Sequence, residues 1–324
     1  MGKTNDMSQM TPTISVLMPA YNAADYIREA IDSILNQTFL DFEFIIINDG
    51  STDSTEDIIL SYSDKRIKYY ANECNLGIVK TLNRGIDLSN GRYIARMDAD
   101  DVSMPDRLEK QVHLLDVNPQ IVASGTLYTI LGDGSNIPVD VATDTEDIRY
   151  DMAIYCQFAH STMMIRKDIL EQYKLRYREE YKCAEDYKLW TELLQYGDMI
   201  NIPEVLGYIR QCEEGISISN AERQRNLSDR VRKEYLNQLG VKTQLLLSDV
   251  LNEESISSEV IRETLCAYYP LVLQAKSYNW LFKNYKTALK KYLRYLPLTK
   301  KIKEISYYWK GVLNIKDKLA ILLK

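Results

Sequence analysis

An apolar run and an acidic cluster meet in the stretch Tyr93-Ile94-Ala95-Arg96-Met97-Asp98-Ala99-Asp100-Asp101. Residues 93–97 are typical of a buried strand, and three carboxylates follow within four residues. Carboxylates this close repel one another unless a positive charge lies among them. Such hard oxygen ligands suit Mg²⁺ or Mn²⁺, which bind few protein carboxylates and complete their shell with water and phosphate oxygens. The alternative is a solvated acidic turn that caps the next helix.

Three apolar runs precede this stretch and alternate with helical patterns. Strands are predicted at residues 14–18, 42–47 and 67–70, with helices between them. Asn22 or Asp25 is expected to cap the first helix, and Thr52, Asp53 or Ser54 the second, with Asp53 favoured. Strand–helix alternation with continuously apolar strands predicts an α/β domain with a mostly parallel central sheet.

Polar residues follow three of these strands, at Tyr21-Asn22, Asp49 and Asp98-Ala99-Asp100. In open α/β sheets, ligands bind outside the carboxyl ends of the strands, so these side chains are expected to share one site. The first strand is followed by neither a G-x-G-x-x-G turn nor a P-loop, which argues against dinucleotide-dependent dehydrogenases and P-loop enzymes.

Downstream of Pro105 the pattern changes twice. A helix to about residue 118 is followed by predicted strands at 121–130, 161–165 and 199–209, and residues 185–196 have a helical apolar face. From residue 220 onward the pattern is almost wholly helical. We therefore expect an α/β domain at 12–220 and a helical C-terminal region at 221–324.

The charge of the chain is unevenly distributed. The formal net charge is −6, yet the stretch from Lys276 to Lys324 contains 13 Lys and Arg against two Asp and Glu. An acidic body with a basic, aromatic-rich end argues against a general nucleic-acid binder. It favours contact of the tail alone with an anionic surface such as a membrane; the alternative is a helical cap that folds on the acidic body or mediates self-association.

Several features bear on the compartment. The five cysteines are scattered without zinc-ligand or redox spacing, which favours a reducing environment. Residues 1–11 lack the apolar core of a signal peptide, and no apolar run approaches the roughly 18 residues that span a bilayer. The sequence predicts a cytoplasmic location, with the basic tail as the segment that would bring the protein to the inner face of the plasma membrane.

Five motifs occur in order between about Ile14 and Ile218, two-thirds of the chain. They are Ser15-Val16-Leu17-Met18-Pro19-Ala20-Tyr21-Asn22, Asn48-Asp49-Gly50-Ser51-Thr52-Asp53, Asn75-Leu76-Gly77 with Leu82-Asn83-Arg84-Gly85, Ala95-Arg96-Met97-Asp98-Ala99-Asp100-Asp101, and Ala184-Glu185-Asp186-Tyr187-Lys188-Leu189-Trp190. In this order they resemble family 2 glycosyltransferases with the GT-A fold, of the non-processive type found in bacterial surface-polysaccharide synthesis. The resemblance implies transfer of a sugar from a nucleotide-sugar donor to an acceptor hydroxyl, with inversion at the anomeric carbon.

The resemblance also implies roles for the residues of the first four motifs. The donor, with UDP as the expected nucleotide, would be bound by Pro19, Tyr21, Asp49, Gly77, Asn83 and Asp98. Tyr21 offers an aromatic face to the base, and Asp49 accepts a hydrogen bond from it. Asp100 would coordinate the Mn²⁺ or Mg²⁺ that bridges the two phosphates and neutralises the leaving nucleoside diphosphate.

The fifth motif implies the general base. Inverting transfer needs one carboxylate that takes the proton of the attacking hydroxyl, and by resemblance this is Asp186, with Glu185 beside it. Asp186 is expected at a helix start, where the helix dipole favours the ionised form. The alternative is that both acids merely favour the N-terminal end of a helix.

Other residues remain as further candidates or departures from the family pattern. His160 matches a recurring family position near the acceptor, and Arg210 and Arg84 are cations that could meet phosphate. Cys212 stands where relatives carry a histidine, and a thiol is a poor Mg²⁺ ligand. Two other functions stay open at this point: a sugar-1-phosphate nucleotidyltransferase, and a non-catalytic nucleotide-sugar-binding module.

Overall fold

The chain forms two compact units in the computed structural model, which describes residues 11–132, 137–210, 221–252, 256–274 and 280–294 and isolated positions between 296 and 312. The first unit contains Met1–Thr143 and Phe158–Gln224, and the second contains Asp144–Gln157 and Arg225–Lys324. The sequence pattern had assigned residues 144–157 to the α/β domain, whereas the structure groups them with the C-terminal helices.

Eight strands form one sheet in the first unit. They are β1 (Ile14–Ala20), β2 (Phe42–Asn48), β3 (Ile67–Ala71), β4 (Tyr93–Arg96), β5 (Val102–Ser103), β6 (Ile121–Leu131), β7 (Met164–Arg166) and β8 (Asp198–Arg210). Their order is β3-β2-β1-β4-β7-β6-β8-β5. The first four strands of this order are parallel to one another, as are β6 and β8, whereas β7 and β5 run antiparallel to their neighbours.

Six helices of the first unit flank or follow these strands. They are α1 (Ile27–Leu35), α2 (Thr55–Leu60), α3 (Ile78–Leu88), α4 (Arg107–Val117), α6 (Lys167–Gln172) and α7 (Glu185–Leu193), with single 3-10 turns at His160–Thr162 and Glu179–Tyr181. Every residue of β1 and β2 is buried, because helices cover both faces of a parallel sheet. The apolar face of α1, formed by Ile27, Ala30, Ile31 and Ile34, packs into the same core.

The strand register brings the polar ends together. β1 lies between β2 and β4, with Ala20 opposite Asn48 and Leu17 opposite Arg96. The residues that follow these strands therefore meet at one edge of the sheet, as the sequence predicted.

Two local expectations were wrong. The helix cap assigned to Asn22 or Asp25 is absent: α1 begins after Tyr26 without a side-chain cap. Asn22 adopts a left-handed conformation with φ +47° and bonds to another loop. The strand predicted at 161–165 begins instead with a 3-10 turn and becomes extended only at Met164–Arg166.

The second unit is helical. It contains α5 (Thr145–Asp151), α8 (Ala221–Gln238), whose first residues belong to the first unit, α9 (Leu247–Asn252), α10 (Ser258–Gln274) and α11 (Trp280–Arg294). Asp151 is 1% exposed, and its carboxylate accepts hydrogen bonds from the backbone N–H groups of Trp280 and Leu281, which begin α11. Thus a segment from the middle of the chain caps a helix near its end.

The aromatic tail is only partly a surface feature. Tyr285 and Tyr292 are buried in the second unit, so they are not available to a membrane surface, whereas Lys283 and Lys300 are exposed. Tyr295, Tyr307, Tyr308 and Trp309 lie outside the described residues. Among the helices that the structure describes, none is long and apolar enough to cross a membrane.

Candidate active site

A cavity of about 730 Å³ opens in the first unit at the carboxyl ends of β1, β2 and β4. Most of the residues singled out by the sequence line it, namely Pro19, Tyr21, Asp49, Gly77, Asp98, Asp100, His160, Glu185 and Asp186. They come from six separate stretches of the chain. Parallel strand register explains why the first four stretches converge, while the 3-10 turn at His160–Thr162 and the start of α7 add the other two.

The loops after β1 and β2 are tied to each other. Asn22 Oδ1 accepts the backbone N–H of Thr52 at 2.8 Å, and the backbone N–H of Asn22 donates to Ser51 Oγ at 3.0 Å. Asp53, the expected cap of α2, accepts the N–H groups of both Thr55 and Ala24. Tyr21, which precedes Asn22, is therefore held at the cavity with 47% of its surface exposed.

Asp49 organises the loop that precedes α3. Its carboxylate accepts hydrogen bonds from the Asn72 side chain at 2.6 Å, from the Leu76 N–H at 2.9 Å and from the Gly77 N–H at 2.9 Å. A carboxylate has about four acceptor positions, so one remains for a ligand. Gly50 follows with φ +71°, and a Cβ there would lie 2.6 Å from the backbone carbon of Cys74, so only glycine allows the two loops to approach.

The acidic stretch after β4 rests on two buried arginines. Arg96 donates to the carboxylate of Asp98 and to the Met97 carbonyl, and Arg107 donates to the carbonyls of Arg96 and Ser161. Each arginine is 1% exposed. Burial lowers the pKa of Arg107 to about 10, which leaves it charged at neutral pH. These two cations balance the carboxylates that the sequence showed close together.

Ser161 connects two of the acids. Its hydroxyl lies 2.6 Å from Asp98 Oδ2 and also contacts Asp101 Oδ2, while its Oγ accepts the Asp98 N–H. One hydroxyl proton cannot serve two carboxylates, so one of the acids must itself carry a proton. Burial, with Asp98 and Asp100 nearby, raises the pKa of Asp101 to about 8, whereas the pKa of Asp98 is lowered despite its burial because Arg96 is adjacent. Asp101 is therefore the protonated partner and has a structural role.

Asp100 has the properties of a ligand for a divalent cation. It lines the cavity, and burial together with the Asp98 charge raises its pKa to about 6. A cation beside it would remove the repulsion that disfavours its ionised form. Within the described part of the chain, no three His, Cys, Asp or Glu side chains converge to hold an ion by themselves. The residues thus fit an ion such as Mn²⁺ or Mg²⁺ that takes few protein carboxylates and draws its other ligands from water and phosphate.

Asp186 and Glu185 are the first residues of α7 and line the same cavity as the acidic stretch. Burial, reinforced by the Glu185 charge, raises the pKa of Asp186 to about 7, and burial also raises the pKa of Glu185. The backbone N–H groups of the helix start favour ionised Asp186, but burial outweighs them. A carboxylate with a pKa near neutrality is a good acceptor for a hydroxyl proton.

His160 is positioned by Tyr177, which is itself held by Asn83. Its Nε2 lies 2.8 Å from the Tyr177 hydroxyl, and burial and Arg96 lower its pKa to about 3, so the ring is neutral. Asn83 does not line the cavity: its amide donates to the Tyr177 carbonyl and accepts the Tyr177 N–H. Asn83 was predicted to bind the donor, but in the structure it positions Tyr177 instead.

The two arginines considered as phosphate ligands both form hydrogen bonds within the protein. Arg84 donates to the Ala71 carbonyl and to Asn72 Oδ1, and Arg210 donates to the Asp100 carbonyl and to Glu29. Neither lines the cavity, so neither is placed to meet a phosphate there. Cys212 lies outside the described residues.

Sequence reasoning missed other residues of the site. Lys182 and Cys183 line the cavity. Ser161 bonds to Asp98 of the acidic stretch, and Arg107 donates to the Ser161 carbonyl. Their only signal was proximity in sequence to His160, Asp186 and Pro105. Nothing local shows which of these side chains turn inward.

The amino-acid sequence matches known glycosyltransferases. Residues 15–174 match the sequence model of Glycosyl transferase family 2. An uncharacterized glycosyltransferase of Haemophilus influenzae is 36% identical over 278 residues, which cover 80% of this chain and 86% of that protein. This chain belongs to glycosyl transferase family 2.

Other relatives of this family 2 glycosyltransferase have more specific descriptions. The UDP-Glc:alpha-D-GlcNAc-diphosphoundecaprenol beta-1,3-glucosyltransferase WfgD of Escherichia coli is 29% identical, over 63% of this chain and 79% of that enzyme. The succinoglycan biosynthesis protein ExoO of Rhizobium meliloti is 29% identical, over 65% of this chain and 64% of that protein. Polysaccharide biosynthesis is thus represented among the relatives.

Solved structures confirm the GT-A fold that the resemblance implied. TarS of S. aureus, crystallised with UDP-GlcNAc, aligns with a TM-score of 0.56 and 19% identity, over 96% of this chain and 90% of that chain. The mannosyltransferase PcManGT of Pyrobaculum calidifontis, crystallised with GDP-Man and Mn²⁺, aligns with a TM-score of 0.52 and 17% identity, over 98% of this chain and 87% of that one.

Proposed function

We propose that this glycosyltransferase transfers a sugar from a nucleotide-sugar donor, with UDP as the first nucleotide to test, to a hydroxyl of a glycan or lipid-linked acceptor with inversion at the anomeric carbon. The observation that carries the proposal is the placement of Asp186, with its raised pKa, in the same cavity as Asp98 and Asp100. A base and a phosphate–metal anchor are the two parts that a single displacement requires.

The donor would occupy the side of the cavity formed by β1, β2 and α3. Tyr21 offers its ring to the base, and Asp49 has one acceptor position left beside Gly77. Asp98, which bonds to Arg96 and Ser161, would accept a ribose hydroxyl or assist the metal. Asp100 would hold Mn²⁺ or Mg²⁺, which when bound neutralises the charge that develops on the leaving diphosphate.

The acceptor would approach from the side of α7. Asp186 takes the proton of the acceptor hydroxyl while that oxygen bonds to the anomeric carbon and the bond from this carbon to the diphosphate oxygen breaks. The electron pair of the broken bond remains on the leaving nucleoside diphosphate. Neutral His160, oriented by Tyr177, would hydrogen-bond a sugar hydroxyl without adding charge. The beta product and lipid-diphosphate acceptor named for WfgD support such a reaction in surface-polysaccharide synthesis.

A donor screen tests this function. UDP-glucose, UDP-galactose, UDP-N-acetylglucosamine and GDP-mannose are incubated with the protein with and without Mn²⁺, and the released nucleoside diphosphate is measured. We expect one donor to be hydrolysed or transferred in a metal-dependent way. Metal-dependent binding without turnover would favour the non-catalytic binding module, and no binding of any nucleotide would refute the proposal. The family assignment argues against the nucleotidyltransferase alternative.

We also propose that exposed lysines of the C-terminal region, such as Lys283 and Lys300, bring the enzyme to an anionic membrane surface on the cytoplasmic side. Each Lys near such a surface contributes about 1 kcal/mol. The enzyme would then be held at the surface where a lipid-linked acceptor is found.

A further inference from the structure

Lys182 reaches across the cavity from the wall that carries Asp186. It follows the 3-10 turn at Glu179–Tyr181 and lines the cavity. A Cβ built on Gly77 would lie 3.5 Å from its Nζ. Gly77 precedes α3 on the opposite wall, where Asp49 accepts its N–H. The ammonium group therefore lies beside the part of the cavity assigned above to the nucleotide.

The Lys182 ammonium has no carboxylate partner among the residues that the structure describes. Glu185 and Asp186 lie only three and four residues further along, yet no ion pair joins either of them to Lys182 Nζ. By contrast, Lys188 in the same segment pairs with Glu192 at 3.4 Å. Asp49, Asp98, Asp100, Glu185 and Asp186 all line the same cavity. These carboxylates oppose an anionic ligand, so such a ligand needs a cation that no carboxylate neutralises, and Lys182 supplies one.

The backbone conformation next to Lys182 fixes the position of its side chain at the cavity. Cys183 has φ +90°, a conformation that residues with a side chain rarely adopt. Its N–H donates to Glu185 Oε2 at 2.6 Å, which fixes the turn between Lys182 and the start of α7. Unusual backbone conformations of this kind concentrate at ligand-binding segments. Here the turn places Lys182 and Asp186 on the same cavity.

We propose that Lys182 binds the diphosphate of the nucleotide-sugar donor and thereby ties the segment that carries Asp186 to the nucleotide. This inference rests on the proposed function. The negative charge of the diphosphate increases as its bond to the sugar breaks, so the contact with Lys182 is stronger in the transition state than in the bound donor. Lys182 is then a phosphate ligand beside Gly77, and it links donor binding to placement of the base.

Nucleotide affinity tests the inference without relying on turnover. Dissociation constants of UDP and uridine, and of GDP and guanosine in parallel, are measured in Mn²⁺ for the wild type, Lys182→Met, Lys182→Arg and Lys68→Met. Loss of a charged hydrogen bond predicts that Lys182→Met binds the nucleoside diphosphate about tenfold or more weakly, with the nucleoside unchanged. Lys182→Arg should retain most of the affinity. Lys68, exposed on β3 and outside the cavity, is the matched control.

The outcomes separate this inference from the function on which it rests. If the wild type binds UDP or GDP but Lys182→Met binds them equally well, Lys182 is not a phosphate ligand and the proposed function stands. Equal weakening of diphosphate and nucleoside would indicate a packing role and would also overturn the inference. If the wild type binds neither nucleoside diphosphate, both proposals fail. Thermal unfolding of each variant checks that its fold is intact.

Discussion

Asp186 illustrates how a single carboxyl group acquires its chemistry from its surroundings. Burial and Glu185 raise its pKa to about 7, and it can accept a proton only in its ionised form. We therefore expect kcat/KM for transfer to rise with pH and to reach half of its maximum near pH 7. The measurement is a pH–rate profile from pH 5.5 to 8.5 at saturating metal. A rate that is flat or falls over this range would contradict the role of Asp186 as base.

The same pKa has a consequence for stability. Between the ordinary Asp value of 3.8 and about 7, the folded protein binds more protons at Asp186 than the unfolded chain does. The free energy of unfolding contributed by this group therefore falls as pH rises through that range. Asp186→Asn removes the effect, so the variant should be more stable than the wild type at pH 8 and nearly equal to it at pH 4.

Activity should move in the opposite direction. Loss of a general base lowers kcat by about 10²- to 10⁴-fold, while nucleotide binding should survive in Asp186→Asn. Asp168→Asn, at an exposed position on α6, is the control for loss of a carboxylate charge. Urea denaturation at both pH values and single-turnover transfer rates measure the two effects. If nucleotide binding were lost as well with the fold intact, Asp186 would belong to the donor site.

The residues that form the site were easier to predict than the protonation of their side chains. The motifs named Asp98, Asp100 and Asp186, and the structure places all three on one cavity. Their protonation could not be predicted, because it depends on side chains far away in sequence. Ser161 lies 63 residues beyond Asp98, and no local pattern indicates that its hydroxyl connects Asp98 to Asp101. The same holds for Asn83, whose partner Tyr177 is 94 residues away.

Among the elements, the loops that follow β2 and β3 depend on one close approach. Gly50 has φ +71°, and a Cβ there would lie 2.6 Å and 2.7 Å from backbone atoms of Cys74 and Asn75. We expect Gly50→Ala to lower the free energy of unfolding by at least about 2 kcal/mol, from the conformational cost and the clash together. Nucleotide affinity should also fall, because the displaced loop carries the Leu76 and Gly77 N–H groups that Asp49 binds.

Gly132 provides the matched control for this variant. It also has a left-handed conformation, with φ +97°, but a Cβ there would meet no atom of the residues that the structure describes within 4 Å. Gly132→Ala should therefore show only the conformational cost, about 1–2 kcal/mol, with unchanged nucleotide affinity. Chemical denaturation and UDP titration measure both variants. Equal effects of the two substitutions would show that the loop contact at Gly50 is unimportant.

Strands formed by continuous apolar runs were predicted nearly to the residue, as β2 and β4 show, because burial of apolar side chains decides them. Caps and short elements were not. Asn22 resembled a helix cap, yet its side chain bonds to Thr52 in another loop. The two-residue strand β5 exists only because β8 pairs with it, and no sequence pattern of that length could indicate such a partner.

At the scale of the whole molecule, the membrane proposal needs a variant that keeps the second unit folded. Deletion of the tail from Lys276 would remove α11, whose Leu281, Tyr285 and Leu289 are buried. A double charge reversal, Lys283→Glu with Lys300→Glu, avoids this because both lysines are exposed. At about 1 kcal/mol for each lysine, binding to vesicles containing phosphatidylglycerol should fall by about 30-fold or more.

The control changes the same charge elsewhere in the second unit. Lys233→Glu with Lys242→Glu alters two exposed lysines that precede the tail, and vesicle binding should change far less. Co-sedimentation at low and at physiological salt measures both variants. Equal losses would point to overall charge, and no loss in the first variant would refute the proposed surface.

The division of the chain into units is the part that the sequence predicted least well. The change to helical sequence near residue 220 was visible, but nothing in the sequence of α5 indicates which later helices it contacts. Tyr235 donates to the Arg149 carbonyl, Arg232 to the Ile154 carbonyl, and the Trp280 ring meets that of Tyr155 edge-on at 5.4 Å. Such long-range contacts leave no trace in local periodicity.

That arrangement has a consequence for biosynthesis. A ribosome adds about 5–20 residues per second, so α5 is made well before α11, whose first N–H groups Asp151 binds. During that interval the Asp151 carboxylate, buried in the finished protein, lacks these two hydrogen bonds. The nascent chain therefore passes through a stage in which this acid is without them, and formation of α11 ends it.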